Sequence, residues 1–251
     1  MSLIASHTSE AGHWYERNGV PAYTIVGANG KTRNTTLRDA RRLNLVPSVT
    51  TIINVAAKPG LDRWKQEQVL MAALTLPKID AESDDEYIIR ILDDSKDAAR
   101  SAADAGTDIH ASIEAFYRGE ARDRHQEHVK GVIKVLDSHF GQQPWVAERS
   151  FAHEAGYGGK VDLHAPELVV DVKTKEFTDP SKIDGYDEHV MQLAAYRVGL
   201  GMPNARCANL FVSRSQPGLC VIKEWTPAQI LNGWMMFNSL LTFWQLKNDH
   251  R

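Results

Sequence analysis

The chain has 251 residues, 43% of them apolar and 24% charged, with a formal net charge of −3. That is enough apolar chain for a sizeable globular core, and the composition excludes extended disorder and fibrous repeats. The slight acidity excludes a protein that holds nucleic acid by bulk positive charge alone; any such contact has to be local or assisted by cations. Two cysteines, Cys207 and Cys220, read as free thiols of a reducing compartment and are too few for an iron–sulfur cluster. No apolar run reaches the about 18 residues of a membrane helix, so no membrane contact is expected. Residues 1–7 lack a leader's basic-then-apolar pattern and a transit peptide's arginines, and a cytoplasmic chain is expected.

Residues 1–46 are polar and punctuated by Gly and Asn, and are expected as a peripheral segment beside a main domain over 47–251. Tyr23-Thr24-Ile25-Val26 predicts a short strand and Asn29-Gly30 a hairpin turn, since both turn residues tolerate positive φ. Asn29-Gly30-Lys31-Thr32 ends like a phosphate-binding loop, but Ile25 stands where its first glycine is required, which excludes nucleotide binding there. Ser48 or Thr50 is placed to cap a helix after Pro47. Pro59-Gly60 breaks the chain, 61–76 is predicted helical, and Pro77 ends that helix.

Over 84–117 apolar residues recur at helical spacing: Ile88, Ile91 and Leu92, then Ala98, Ala99, Ala102 and Ala103, then Ile109, Ile113 and Phe116. Gly106 is expected to kink or divide this run and Gly119 to end it. A further helix is predicted over 124–140, with Val129, Val132, Ile133, Val135 and Leu136 inward, so that 60–140 forms a helical arch. His125-Gln126-Glu127-His128, with Arg122 and Arg124 beside it, reads as a solvated helix face rather than a metal or phosphate site. Short strands follow at 145–151, 159–164 and 168–173, punctuated by Gly156, Gly158, Gly159 and Pro166. A helix over 188–200, strands over 208–213 and 219–225, and an aromatic-rich helix opened by Thr226-Pro227 complete the chain. This order predicts an α/β fold: a central mixed sheet flanked by helices, a helical N-terminal part and a small peripheral hairpin.

The chemistry is concentrated in Gly158-Gly159-Lys160-Val161-Asp162 and Leu168-Val169-Val170-Asp171-Val172-Lys173-Thr174. On the second strand Val170 and Val172 point to one face, Asp171 and Lys173 to the other. A turn at Ala165-Pro166-Glu167 brings Asp162 opposite Asp171 across a hairpin. Two carboxylates and an amine suit phosphodiester hydrolysis. Oxygen ligands, the Val172 carbonyl among them, hold one or two Mg²⁺ or Mn²⁺ ions, and the lysine orients or deprotonates the attacking water. A surface Asp–Lys pair on an edge strand is the plainer alternative, and the full string rather than D-x-K alone argues against it.

That string resembles the PD-(D/E)xK nuclease superfamily and, within it, the RecB-like branch, where G-x-x-D…D-x-K-T is joined by Q-x-x-x-Y on a later helix. Gln192-Leu193-Ala194-Ala195-Tyr196 supplies the last motif, its ends sharing one helix face. The resemblance implies a restriction-endonuclease-like core in which Gln192 and Tyr196 support the catalytic set Asp162, Asp171 and Lys173. It implies that His110, in Gly106-Thr107-Asp108-Ile109-His110, is a metal ligand beside Asp162, Asp171 and Val172 or else a neighbour of the phosphate, with Glu114 near it and in the same metal group. It also places Glu148, on the first strand, in the catalytic set. Pro47-Ser48-Val49-Thr50 and Asp62-Arg63-Trp64-Lys65 are similar to segments of the mitochondrial genome-maintenance exonuclease family and its phage and bacterial relatives, a likeness running from Pro47 to the terminal helix. It implies DNA contacts from Ser48, Thr50, Arg63, Trp64 and Lys65, with Trp64 stacking on a base.

The implied activity is a Mg²⁺- or Mn²⁺-dependent exonuclease on linear, single-stranded DNA in phage or bacterial recombination, replication or repair. A recombination or single-strand-binding protein is the implied partner. A structure-specific or restriction-like endonuclease and a non-catalytic DNA-binding recombination partner are the alternatives. Relatives with an iron–sulfur cluster add four cysteines; those are absent here, so no cluster is expected.

Overall fold

The computed structural model describes residues 12–120 and 123–251, apart from the side chains of Ala98, Ala99 and Ala102. The expectations placed on residues 1–7, on Arg122 and on those three alanine side chains lie outside the described residues.

Strand β1 (Trp14–Tyr15) is followed by the hairpin of β2 (Thr24–Val26) and β3 (Thr32–Asn34), whose ends are joined by a Gly27 N–H to Lys31 carbonyl bond of 2.9 Å. Helix α1 (Leu37–Leu43), which the sequence pattern does not announce, is fixed by a reciprocal cap between Thr36 and Asp39. Strand β4 (Val46–Pro47) pairs with β1. Trp14, Ala40 and Leu45 of this segment are buried in the same cluster as Val49 and Ile52, and Trp14 packs edge-on against Trp244 and His250. Ser48 caps α2 (Val49–Ile53) by accepting the Thr51 N–H. Helix α3 (Pro59–Thr75) packs against α4 (Asp84–Tyr117), and α5 (Gln126–Phe140) follows.

Helix α4 runs unbroken through Gly106, where a kink or division is expected from sequence. The glycine serves packing: a Cβ there would stand 2.5 Å from Thr174 Oγ1. Its absence lets the helix lie close to the sheet.

The central sheet has the order β5 (Val146–His153), β6 (Tyr157–Ala165), β7 (Leu168–Lys175), β8 (Arg206–Ser213), β9 (Cys220–Trp225). Only β7 and β8 run parallel, and α6 (Asp187–Gly199) supplies the crossover that a parallel pair needs. This is the expected mixed α/β architecture. On one face, Ile109, Ile113, Val132 and Leu136 of α4 and α5 cover Leu163, Val170, Val172 and Leu210. On the other, α2, α6 and α7 (Pro227–Asn248) cover Val161, Val169 and Cys207 through Ile52, Leu193, Ala194 and Phe237. No described helix is long and apolar enough to cross a membrane.

Strand β6 is distorted at one place. Val161 and Leu163, two residues apart, fall into opposite core clusters, although alternation would put them on one face. The β5–β6 ladder pairs Ala147 with Leu163 and Arg149 with Val161 but skips the step between, and the β6–β7 ladder stops at Leu163–Val170. At the skipped step Glu148 takes a left-handed backbone with φ of 59°. Such local breaks in a ladder re-aim side chains.

Candidate active site

The distortion frees Asp162 from both ladders, and α4, β5 and β7 supply its new neighbours. Asp162 Oδ2 accepts the Val172 N–H at 2.7 Å, standing in for the missing ladder bond, and lies 3.1 Å from His110 Nε2. One ligand atom from each of His110, Glu148 and Asp162 lies within 4.8 Å of the other two, the only such trio among the described residues. The Glu148 carboxylate is buried and ion-paired with Lys160. A cleft of about 530 Å³ opens over the trio, lined also by Thr107, Glu114, Lys160, Val172, Lys173 and Arg214.

Behind it runs a continuous chain of buried polar contacts. Lys173 Nζ is 2.8 Å from Asp171 Oδ2 and donates to Gln192 Oε1 at 2.9 Å. Gln192 Nε2 donates to Tyr196 Oη at 2.8 Å, one helical turn on. Asp171 Oδ2 also accepts from Asn209 Nδ2 at 2.8 Å, and Asn209 Oδ1 accepts the Trp225 indole N–H at 2.7 Å. Every polar end in the chain thus has a partner, the condition for burying such a network.

The charges follow from burial and pairing. Burial opposes ionisation of Asp162, but His110, Lys173 and the Val172 N–H outweigh it and hold the carboxyl below its ordinary range. Burial pushes Asp171 up to about 6; Lys173 pulls against the rise and Asp162 adds to it. Burial disfavours the charged forms of Lys173 and His110 too, yet Asp171 and Asp162 keep the lysine above its usual value and Asp162 does the same for the imidazole. Tyr196 is pushed well above its ordinary value by burial and stays a neutral phenol. Both cysteines are free; burial pushes Cys207 up to about 12 and Cys220 up to about 11, which leaves them unreactive.

The structure brings Asp162, Asp171, Lys173, Gln192, Tyr196, Glu148 and His110 into one region. Val172 contributes its N–H to Asp162 and lines the cleft; Glu114 lines it as well, ion-paired with Arg118 at 2.6 Å. Asp171 is not part of the convergent trio, being held by Lys173 and Asn209. Of the residues assigned to DNA contact, Ser48 is buried with its hydroxyl engaged by Thr50 and Thr51. Thr50 is exposed, and Arg63, Trp64 and Lys65 are exposed on α3, with Arg63 paired to Glu67. None of the five lines the cleft. His128, expected on a solvated face, is buried with its ring edge-on to His125. Asn209, Trp225 and Lys160 escape the sequence reading. The available signal for Asn209 was one amide in the apolar run Cys207-Ala208-Asn209-Leu210-Phe211.

Fold and site together define a mixed-sheet α/β protein that carries a His–Glu–Asp group beside a buried Asp–Lys pair. No family model and no curated protein matches the chain. Among solved structures it is similar to an alkaline exonuclease from Laribacter hongkongensis, at 11% identity and a TM-score of 0.43, over 80% of this chain and 89% of that one. A protein designated SSO0001 is similar at 16% identity and a TM-score of 0.28, over 72% of this chain and 86% of that one. The functional reading rests on the site itself.

Proposed function

We propose that this protein is a divalent-metal-dependent DNA nuclease of the RecB-like PD-(D/E)xK type, acting as an exonuclease on linear, single-stranded DNA. The observation that carries the proposal is the convergence of His110, Glu148 and Asp162 at the mouth of a cleft that Lys173 also lines. The two carboxylates are hard oxygen donors that suit Mg²⁺ or Mn²⁺, with the imidazole as a third and softer donor, and the low-lying ionisation of Asp162 keeps a charged oxygen ready for such an ion. A cation held by these three residues would polarise a scissile phosphate and ease deprotonation of the attacking water.

The chain's own groups do the rest. Asp171 and Gln192 fix Lys173 Nζ from two sides, and Tyr196 fixes Gln192, so the ammonium is presented to the cleft in one orientation. There it orients the attacking water and balances charge that builds on the phosphate oxygens. Lys160 and Arg214 line the same cleft and would meet neighbouring phosphates of the strand. The preference for free ends and single strands is carried by the resemblance of the sequence motifs.

The test is digestion of end-labelled linear single-stranded DNA with Mg²⁺, with and without EDTA. Cleavage is expected with the metal only, and Lys173→Ala is expected to lower it by about a hundredfold or more. Activity that survives this substitution would overturn the assignment. A covalently closed single-stranded circle stays intact under an end-dependent enzyme, and its cutting would transfer the reading to an endonuclease.

A further inference from the structure

Asn209 lies on β8 directly beside Asp171 of β7 in the parallel register and is fully buried, with 0% of its surface exposed. Its two amide ends have different partners: Oδ1 takes the Trp225 indole N–H and Nδ2 gives to Asp171 Oδ2. An indole N–H only donates, so the acceptor end of the amide is committed to Trp225 and the donor end has to face Asp171. Turning the amide over would leave the indole unpaired and set a carbonyl oxygen against a carboxylate, both costly without water. The indole itself is pinned by Gly185, where a Cβ would stand 2.3 Å from the ring.

We infer that Asn209, clamped by Trp225, is a positioning residue that fixes the Asp171 carboxylate and, through it, the Lys173 ammonium at the cleft. Asn209 touches neither the trio nor the cleft and acts through Asp171 alone. The inference rests on the nuclease reading of the site for its effect on rate, and on hydrogen-bond geometry alone for the clamp.

The experiment compares the full-length protein with three variants. Asn209→Leu removes the donor at similar volume, Trp225→Phe removes the indole N–H while keeping an aromatic ring, and Leu210→Ala opens a cavity at an equally buried neighbour on the other face of β8. On linear single-stranded DNA below the unfolding midpoint, Asn209→Leu is expected to lower kcat by at least about tenfold with KM within about twofold. Trp225→Phe should give a smaller loss in kcat. Leu210→Ala should lower Tm and leave kcat within about twofold. A loss below about tenfold in folded Asn209→Leu, or an equal loss in Leu210→Ala, overturns the inference.

A second measurement is independent of activity. The Asn209 side-chain amide protons, followed by NMR in D₂O, should exchange at least about tenfold faster in Trp225→Phe than in the wild type; unchanged exchange overturns the clamp. Wild-type protein that cuts no DNA sinks the nuclease reading, and this exchange comparison still decides the clamp.

Discussion

Asp171 is 1% exposed and depends on Lys173 for its charge balance. Removing one member of a buried ion pair leaves the other uncompensated, so Lys173→Ala is expected to cost roughly 3 kcal/mol of stability as well as activity, measurable by urea unfolding. His189 shows the complementary case of a buried base. Burial first, then Lys173, Lys175 and Lys58, lower it to about 4, and its Nδ1 accepts the Tyr186 N–H. An unfolded histidine titrates near about 6.5, so between about 6.5 and 4 the unfolded chain binds a proton that the folded one refuses. The folded state therefore loses up to about 1.4 kcal/mol per pH unit as pH falls through that window. His189→Gln, which keeps an acceptor for Tyr186, should show a shallower fall of Tm from pH 7 to pH 5; equal falls would remove His189 as the cause.

At this scale much of the site was legible. Asp162, Asp171 and Lys173 stand in a string whose alternation alone puts the last two on one face, and Gln192 and Tyr196 share a helix face by spacing. Asn209 and Trp225 were not legible, because their roles depend on the register of β7 against β8 and of β8 against β9. That register is set by packing and not by any local pattern. Glu148 entered only through family likeness, since nothing local announces a left-handed residue inside a strand.

At the level of elements, the seating of α4 on β7 decides where His110 sits. Gly106→Ala forces a Cβ to within 2.5 Å of Thr174 Oγ1. Overpacking of this kind costs about 1–3 kcal/mol, and lifting α4 moves His110 away from Asp162, so cleavage should fall with stability. Thr174→Ala removes that hydroxyl and leaves only the Thr174 Cβ, 3.6 Å away, near the new methyl. The double variant Gly106→Ala/Thr174→Ala should therefore recover most of both losses, and a cycle showing simple additivity would refute the contact as the cause. The same contact explains why the expected break in α4 is absent. A lone glycine inside a helix reads as a weak point, but here close approach to the sheet is what requires it. Helix α1 was hidden for the opposite reason, because its seven residues, Leu-Arg-Asp-Ala-Arg-Arg-Leu, are too few to show a period and its cap decides the matter.

For the molecule as a whole, the sheet divides two apolar clusters and the site lies where they meet, at the one step of β6 that belongs to neither ladder. The net charge of −3 gives no broad attraction for DNA. Among the described residues three lysine and arginine side chains line the cleft, Lys160, Lys173 and Arg214. With about 0.7 counterions released per phosphate contact on a single strand, the logarithm of apparent DNA affinity should fall with that of salt at a slope of about 2 or less. A much steeper slope would place the main binding surface elsewhere, with the exposed Arg63 and Lys65 of α3 the first residues to examine.

The left-handed turn of the backbone at Glu148 has a bearing on how this molecule responds to selection for hardiness. Any side chain held that way sits uphill by about 1–3 kcal/mol, and glycine does not. Glu148→Gly alone would strip Lys160 of its partner, but Glu148→Gly with Lys160→Met, which removes the pair whole, is expected to raise the melting temperature while abolishing cleavage. Screens that reward heat resistance alone would keep returning to this position and would enrich for sturdy, inert descendants.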